Sequence, residues 1–166
     1  MQNKPVITLV NGRVSAVANG TRTVPLEGNL EAFAGLQDYD SLLVLINVTA
    51  AGTATGTVNI FIQDSWDGGT TWDDMVASAQ LTLGTTTGTQ RFWVQGRIAP
   101  ATHTTTTSTL STQGSAVSNA ALTAASARVG PFGDRLRVRE TIAGASGSPV
   151  GATYTITIIP CRSENN

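Results

Sequence analysis

Apolar and polar residues alternate with a period of two through much of this chain. Val58, Ile60 and Ile62 alternate with Asn59, Phe61 and Gln63, which predicts a strand with one buried face. Residues 134–140 repeat the pattern, with Leu136 and Val138 on one face and Arg135, Arg137 and Arg139 on the other. In residues 152–159 Tyr154, Ile156 and Ile158 are expected to point inward and a threonine ladder outward, with Pro160 ending ladder pairing. Residues 41–49 break the rule. Their run Ser-Leu-Leu-Val-Leu-Ile-Asn-Val-Thr is almost continuously apolar, which predicts a strand covered on both faces, by the facing sheet and by a neighbour or the N-terminal segment. Residues 81–83 and 90–95 supply two further strands.

Turn chemistry sets the order of these strands. Between Gln63 and Met75 lies Asp-Ser-Trp-Asp-Gly-Gly-Thr-Thr-Trp-Asp-Asp, where Gly68 and Gly69 accept the positive φ of a tight reversal, so a β-hairpin is expected. Ser65, Asp67, Gly69, Thr71 and Trp72 spell the Asp-box pattern, in which the aspartate ties down the turn backbone and the tryptophan folds beneath as a buried plug. Trp66 is then left at the exposed tip. Asn11-Gly12 and Asn19-Gly20 predict type I′ turns between short strands at 6–10, 14–17 and 21–24, or else an extended arm that pairs with a neighbouring subunit. Residues 26–40 have two glycines and no helical period, so they connect, with Phe33, Leu36 and Tyr39 folding onto the core edge. Residues 101–126 are almost entirely Ala, Thr, Ser and Gly and predict a long loop. The expectation is an all-β fold: an antiparallel two-sheet sandwich, jelly-roll-like, with residues 1–25 as an N-terminal arm or hairpins and residues 26–166 as the sandwich domain, carrying the loop insertion 101–126.

Composition narrows the partners. The 166 residues suit one domain, and 40% are apolar with no run long enough to span a membrane. Only 13% are charged, with a net charge of −1, which excludes the concentrated positive footprint of a nucleic-acid binder. The first residues lack the pattern of a signal peptide, so synthesis in a cytoplasm is expected. A low-charge, threonine-rich surface suits packing against neighbours.

Candidate chemistry is sparse. His103 is the sole histidine and falls in the low-complexity stretch, and Cys161 is the sole cysteine, so neither a zinc set nor a disulfide framework is available. Asp64, Asp67, Asp73 and Asp74 flank one turn and offer oxygen ligands for calcium, without the spacing of an EF-hand loop. No catalytic, cofactor-binding or metal-binding residue is assigned. Arg135, Arg137 and Arg139, about 7 Å apart along one strand face, form either a solvated stripe or a docking stripe for a partner's carboxylates. Trp66 is the other candidate partner contact. Trp66, Trp72 and Trp93 together allow an alternative reading as a carbohydrate-binding module.

Residues 40–95 and 134–160 resemble structural proteins of tailed bacteriophages. The likeness rests on Tyr39-Asp-Ser-Leu-Leu-Val-Leu-Ile-Asn-Val-Thr49, Val58-Asn-Ile-Phe-Ile-Gln63 with its Ser-Trp-Asp-Gly-Gly-Thr-Thr-Trp turn, Asp134-Arg-Leu-Arg-Val-Arg139 and Tyr154-Thr-Ile-Thr-Ile158. The resemblance implies a non-enzymatic β-sandwich that decorates or cements a capsid, without cofactor. Its partners would be the major capsid protein and neighbouring copies of itself, its location the capsid surface of the virion. A tail, neck or fibre component is the alternative within the same group.

Overall fold

The computed structural model describes residues 6–28, 36, 39–96, 121–130, 132–146 and 150–162. Ten strands are assigned: β1 (Ile7–Val14), β2 (Gly20–Val24), β3 (Ser41–Ala50), β4 (Thr57–Ser65), β5 (Asp73–Ala77), β6 (Leu81–Thr82), β7 (Gly88–Gln95), β8 (Ser126–Ala127), β9 (Arg135–Ala143) and β10 (Thr153–Cys161). They form two antiparallel sheets. Sheet A has the order β1-β10-β3-β7; sheet B has β2-β9-β4-β5-β8, with β6 paired to β4.

The pairings are nested. β4 pairs β5, β3 pairs β7, β2 pairs β9 and β1 pairs β10, all antiparallel. The chain is therefore one long hairpin, bent at residues 66–72 and rolled so that successive pairs fall in alternate sheets. That is the winding of a jelly roll, which strand count favours and strand spacing alone does not separate from an immunoglobulin-like topology. The Asp-box segment is its tip.

Period-two alternation places the core where it is expected. Leu42, Val44, Ile46 and Val48 of β3, Val58, Ile60 and Ile62 of β4, Leu136 and Val138 of β9, and Tyr154, Ile156 and Ile158 of β10 are all buried between the sheets. Each full burial of such a side chain contributes about 1.5–3 kcal/mol. Leu36 is fully buried and Tyr39 packs against the same cluster; Phe33 lies outside the described residues. One polar pin crosses the core. Tyr154 on sheet A donates its hydroxyl to Glu140 Oε2 on sheet B at 2.9 Å, and both residues are fully buried. Glu140 Oε1 also accepts from Ala16 N and lies 3.5 Å from Arg13 Nη2.

Three expectations need correction. Residues 7–24 form neither a free arm nor hairpins: β1 and β2 do not pair with each other but take the edges of sheets A and B. Asn11-Gly12 makes no I′ turn. It lies within β1, where Gly12 at φ 56° accommodates a register shift against β10, so the long-range ladder overrides the local turn signal. Pro160 does not end β10, which runs on to Cys161 in register with Ser41 of β3. The described pairing with β1 stops at Ile158, so among the described residues Pro160 is laddered on one side, to Leu42 of β3. The predicted loop at 101–126 falls, up to residue 120, outside the described residues, as does His103.

Candidate functional site

The hairpin tip is held by its own side chains. Asp67 Oδ1 accepts from the backbone N–H groups of Thr70 and Thr71 at 3.0 and 2.8 Å and from the Ser65 hydroxyl at 2.8 Å, while Oδ2 takes the Thr71 hydroxyl at 2.7 Å. These bonds, led by those from Thr71, hold the Asp67 carboxyl well below its ordinary range, at about 2. Ser65 Oγ accepts from Gly69 N at 2.8 Å, and Gly68 and Gly69 take φ of 71° and 97°. Trp72 is only half-buried, not the fully buried plug expected from the motif. Its indole N–H donates to Gly69 O at 2.9 Å, and its ring lies against the outer face of sheet B rather than within the core. Trp66 stands 43% exposed at the tip.

Outer sheet B carries a connected polar network. Arg137 stacks over Trp72 at 4.5 Å, and its Nε donates to Gln63 Oε1 at 2.6 Å. Gln63 Nε2 in turn donates to Asp74 Oδ1 at 2.6 Å, and Asp74 Oδ2 accepts from Leu122 N. Arg139 lies 3.8 Å from Asp74 and stacks over Phe61 at 4.9 Å. Burial, with the charge of Arg139 beside it, lowers the affinity of Arg137 for its proton. Two of the three stripe arginines are thus engaged within the chain, and Arg135 alone is exposed. Nothing in the local pattern makes Asp74 and Gln63 partners of the stripe. A bulge between Ile62 and Gln63 of β4 and the facing residues of β5 sets Gln63 opposite Asp74, and only cross-strand register reveals it.

The remaining turn carboxylates point into the end of the sandwich. Asp64 is fully buried, and its Oδ2 accepts from Arg128 Nη2 at 2.6 Å and from Gly133 N at 2.9 Å. Asp73 faces it across the strand pair. Burial raises the Asp73 carboxyl above its ordinary range; Arg128 opposes the shift, and the neighbouring carboxylates of Asp64, Asp74 and Asp67 add to it. Asp64 is thus already paired with a guanidinium. Among the described residues no group of three or more His, Cys, Asp or Glu side chains is placed to hold a metal ion. Cys161 is buried at the end of β10.

Outer sheet A is unlike either region. The register carries a row across its strands: Trp93 of β7 faces Leu43 of β3, and Leu43 faces Ile159 of β10. Ile7 faces Ile158, which sets Val6 beside Ile159 at the end of the row. Trp93 is 59% exposed and Val6 65%. A second row reads Thr8, Thr157, Leu45, Arg91. Trp93, Trp66 and Trp72 do not share one platform: they occupy separate surfaces, outer sheet A, the tip and outer sheet B. The signal that could have found this face was the unbroken apolar run of β3.

Compared with protein-family models, with curated proteins and with solved structures, the chain matches none of them.

Proposed function

We propose that the protein is a non-enzymatic structural component of a tailed-bacteriophage virion, a capsid decoration or cement protein that docks on the major capsid protein and stabilises the head. The observation that carries the reading is where the phage-like segments fall. Residues 40–95 and 134–160 supply β3, β4, β5, β6, β7, β9 and β10, a contiguous block of strands in each sheet, closed around the Asp-box tip. The function follows from mass action: a protein that binds only the assembled shell shifts the equilibrium toward that shell. The low-charge surface and the internally connected polar network support a role in packing.

Purified protein mixed with mature capsids should co-sediment at a copy number commensurate with the capsid subunit and raise the temperature at which the particles disrupt. Absence from the pellet at saturating protein would refute the reading. A few copies per particle would move the protein to the tail or neck.

A further inference from the structure

We propose that the outer face of sheet A is a self-association surface, on which a second copy of this chain packs face to face about a two-fold axis parallel to the strands. The inference does not rest on the virion reading and holds whether or not the protein meets a capsid.

Three observations carry it. The first is β3. Its outward side chains Leu43 and Leu45 are half-buried among their strand neighbours and covered by no other element among the described residues. Strands with one face in water carry polar residues there, as β9 does; an apolar run on both faces belongs to a strand with both faces covered. The second is an apolar row across the face. Val6, Val14 and Trp93, three of the six large apolar side chains most exposed among the described residues, lie on this face, whereas the outer face of sheet B carries none of the six. Ile159 and Leu43 join Val6 to Trp93 in one contiguous row with Leu45 beside it, and contiguous apolar patches mark interaction sites.

The third is charge. Arg91 is the one charged residue that the register places on this face among the described residues. Its polar groups are in part already bonded within the face: Thr89 Oγ1 donates to Asn47 Oδ1 at 3.0 Å, and Gly12 N donates to Thr155 Oγ1 at 3.0 Å. A partner with a charged surface would find no complement here. A second copy would, because the face is neutral but for one edge residue.

Geometry then selects the arrangement. Four strands of about eight residues give a projected face of roughly 500 Å² per copy. Two copies in full overlap bury roughly 1,000 Å², the lower bound for a specific interface, so the partner must match the outline of the whole face. A two-fold axis parallel to the strands between β10 and β3 meets that demand, to within the roughly 30° set by sheet twist. It lays Trp93 over Val6 of the partner subunit and Leu43 over Ile159 of the partner subunit. It also sets Arg91 over Thr8 of the partner subunit and keeps the two arginines on opposite edges, more than a Debye length of ~8 Å apart.

Sedimentation velocity of the full chain across micromolar concentrations tests this. The wild type should sediment as a dimer in reversible exchange with monomer. Trp93→Glu should weaken the dimer at least about tenfold, as expected when a charge replaces a large apolar contact at an interface. Thr157→Arg, on the central strand β10, should do the same while leaving the far-ultraviolet spectrum and melting temperature unchanged. Trp66→Ala at the tip should leave the dimer intact. A wild type that stays monomeric throughout overturns the proposal. A dimer that survives both face variants overturns it too and assigns association to the strand edges, as would loss of the dimer in Trp66→Ala to the tip. Failure to pellet with capsids would leave all of these outcomes unaffected.

Discussion

The two outer faces of this jelly roll are built from the same strand geometry and use it in opposite ways. On sheet B every long side chain near the centre is engaged: Arg137 with Trp72 and Gln63, Gln63 with Asp74, Asp74 with Arg139 and the Leu122 backbone. On sheet A the corresponding positions hold Leu43, Leu45, Ile159 and Trp93, which neither hydrogen bond nor lie beneath another described element. The contrast separates two kinds of surface energy. A polar face that satisfies itself contributes to the stability of the chain and has little left for a partner. An apolar face left in water contributes little to the chain and gains only when something covers it. Substitutions on sheet B should therefore move folding and spare association, and substitutions on sheet A should do the reverse.

The largest effect is expected where the two faces share a foundation. Glu140 ties the sheets together through Tyr154, and burial together with the carboxylate raises the affinity of the Tyr154 hydroxyl for its proton, so it stays a donor. Glu140→Ala strands the Tyr154 hydroxyl, the Ala16 N–H and Arg13, and should cost about 3–5 kcal/mol in denaturant unfolding. If the sheets hold their relative position through this pin, the variant should lose both stability and self-association. Loss of less than ~1 kcal/mol would show that the apolar core alone fixes them.

The middle case compares like positions on the two faces. Asp74→Ala removes the acceptor that joins Gln63, Arg139 and the Leu122 N–H, and should lower stability by about 1.5–3 kcal/mol with the dimer equilibrium unchanged. Asn47→Ala, which loses one exposed bond from Thr89 on sheet A, should stay within about 0.5 kcal/mol. Equal costs for the two would erase the distinction between the faces.

How much of this could be read from the sequence depends on range. Alternation along β4, β9 and β10 assigned the inward and outward sides correctly, because period two is a local property of a strand. The same alternation places Glu140 inward with Leu136 and Val138, although a carboxylate in that position reads first as solvated. The hydrogen-bonded chain on sheet B was not legible. It depends on which residue of β5 meets Gln63, and a bulge shifts that match by one residue. Asn11-Gly12 shows the converse: a strong local turn signal, overruled by a ladder to residues more than a hundred positions away. The continuous apolar run of β3 was read as a strand covered twice. Among the described residues one of its faces is covered, by sheet B, and the proposed dimer supplies the second cover.

The smallest effect tests how far the sheet B network extends. Trp72 joins it to the tip, and the tip is set by Asp67, whose carboxyl is held at about 2 against an ordinary value of 3.8. A group held below its unfolded value stabilises the fold fully above that unfolded value. Its contribution falls as pH drops below about 3.8 and is gone once pH has passed through about 2. Asp67→Asn keeps one acceptor for the turn N–H groups but loses the charge and the oxygen that takes the Thr71 hydroxyl. The variant should melt below the wild type at neutral pH, and the gap should close as pH falls through that window. Fluorescence of Trp72 should move with it, since a slackened turn loosens the stack on Arg137. A gap that closes with no change in the Trp72 signal would confine Asp67 to the turn, and the network on sheet B would then end at Arg137.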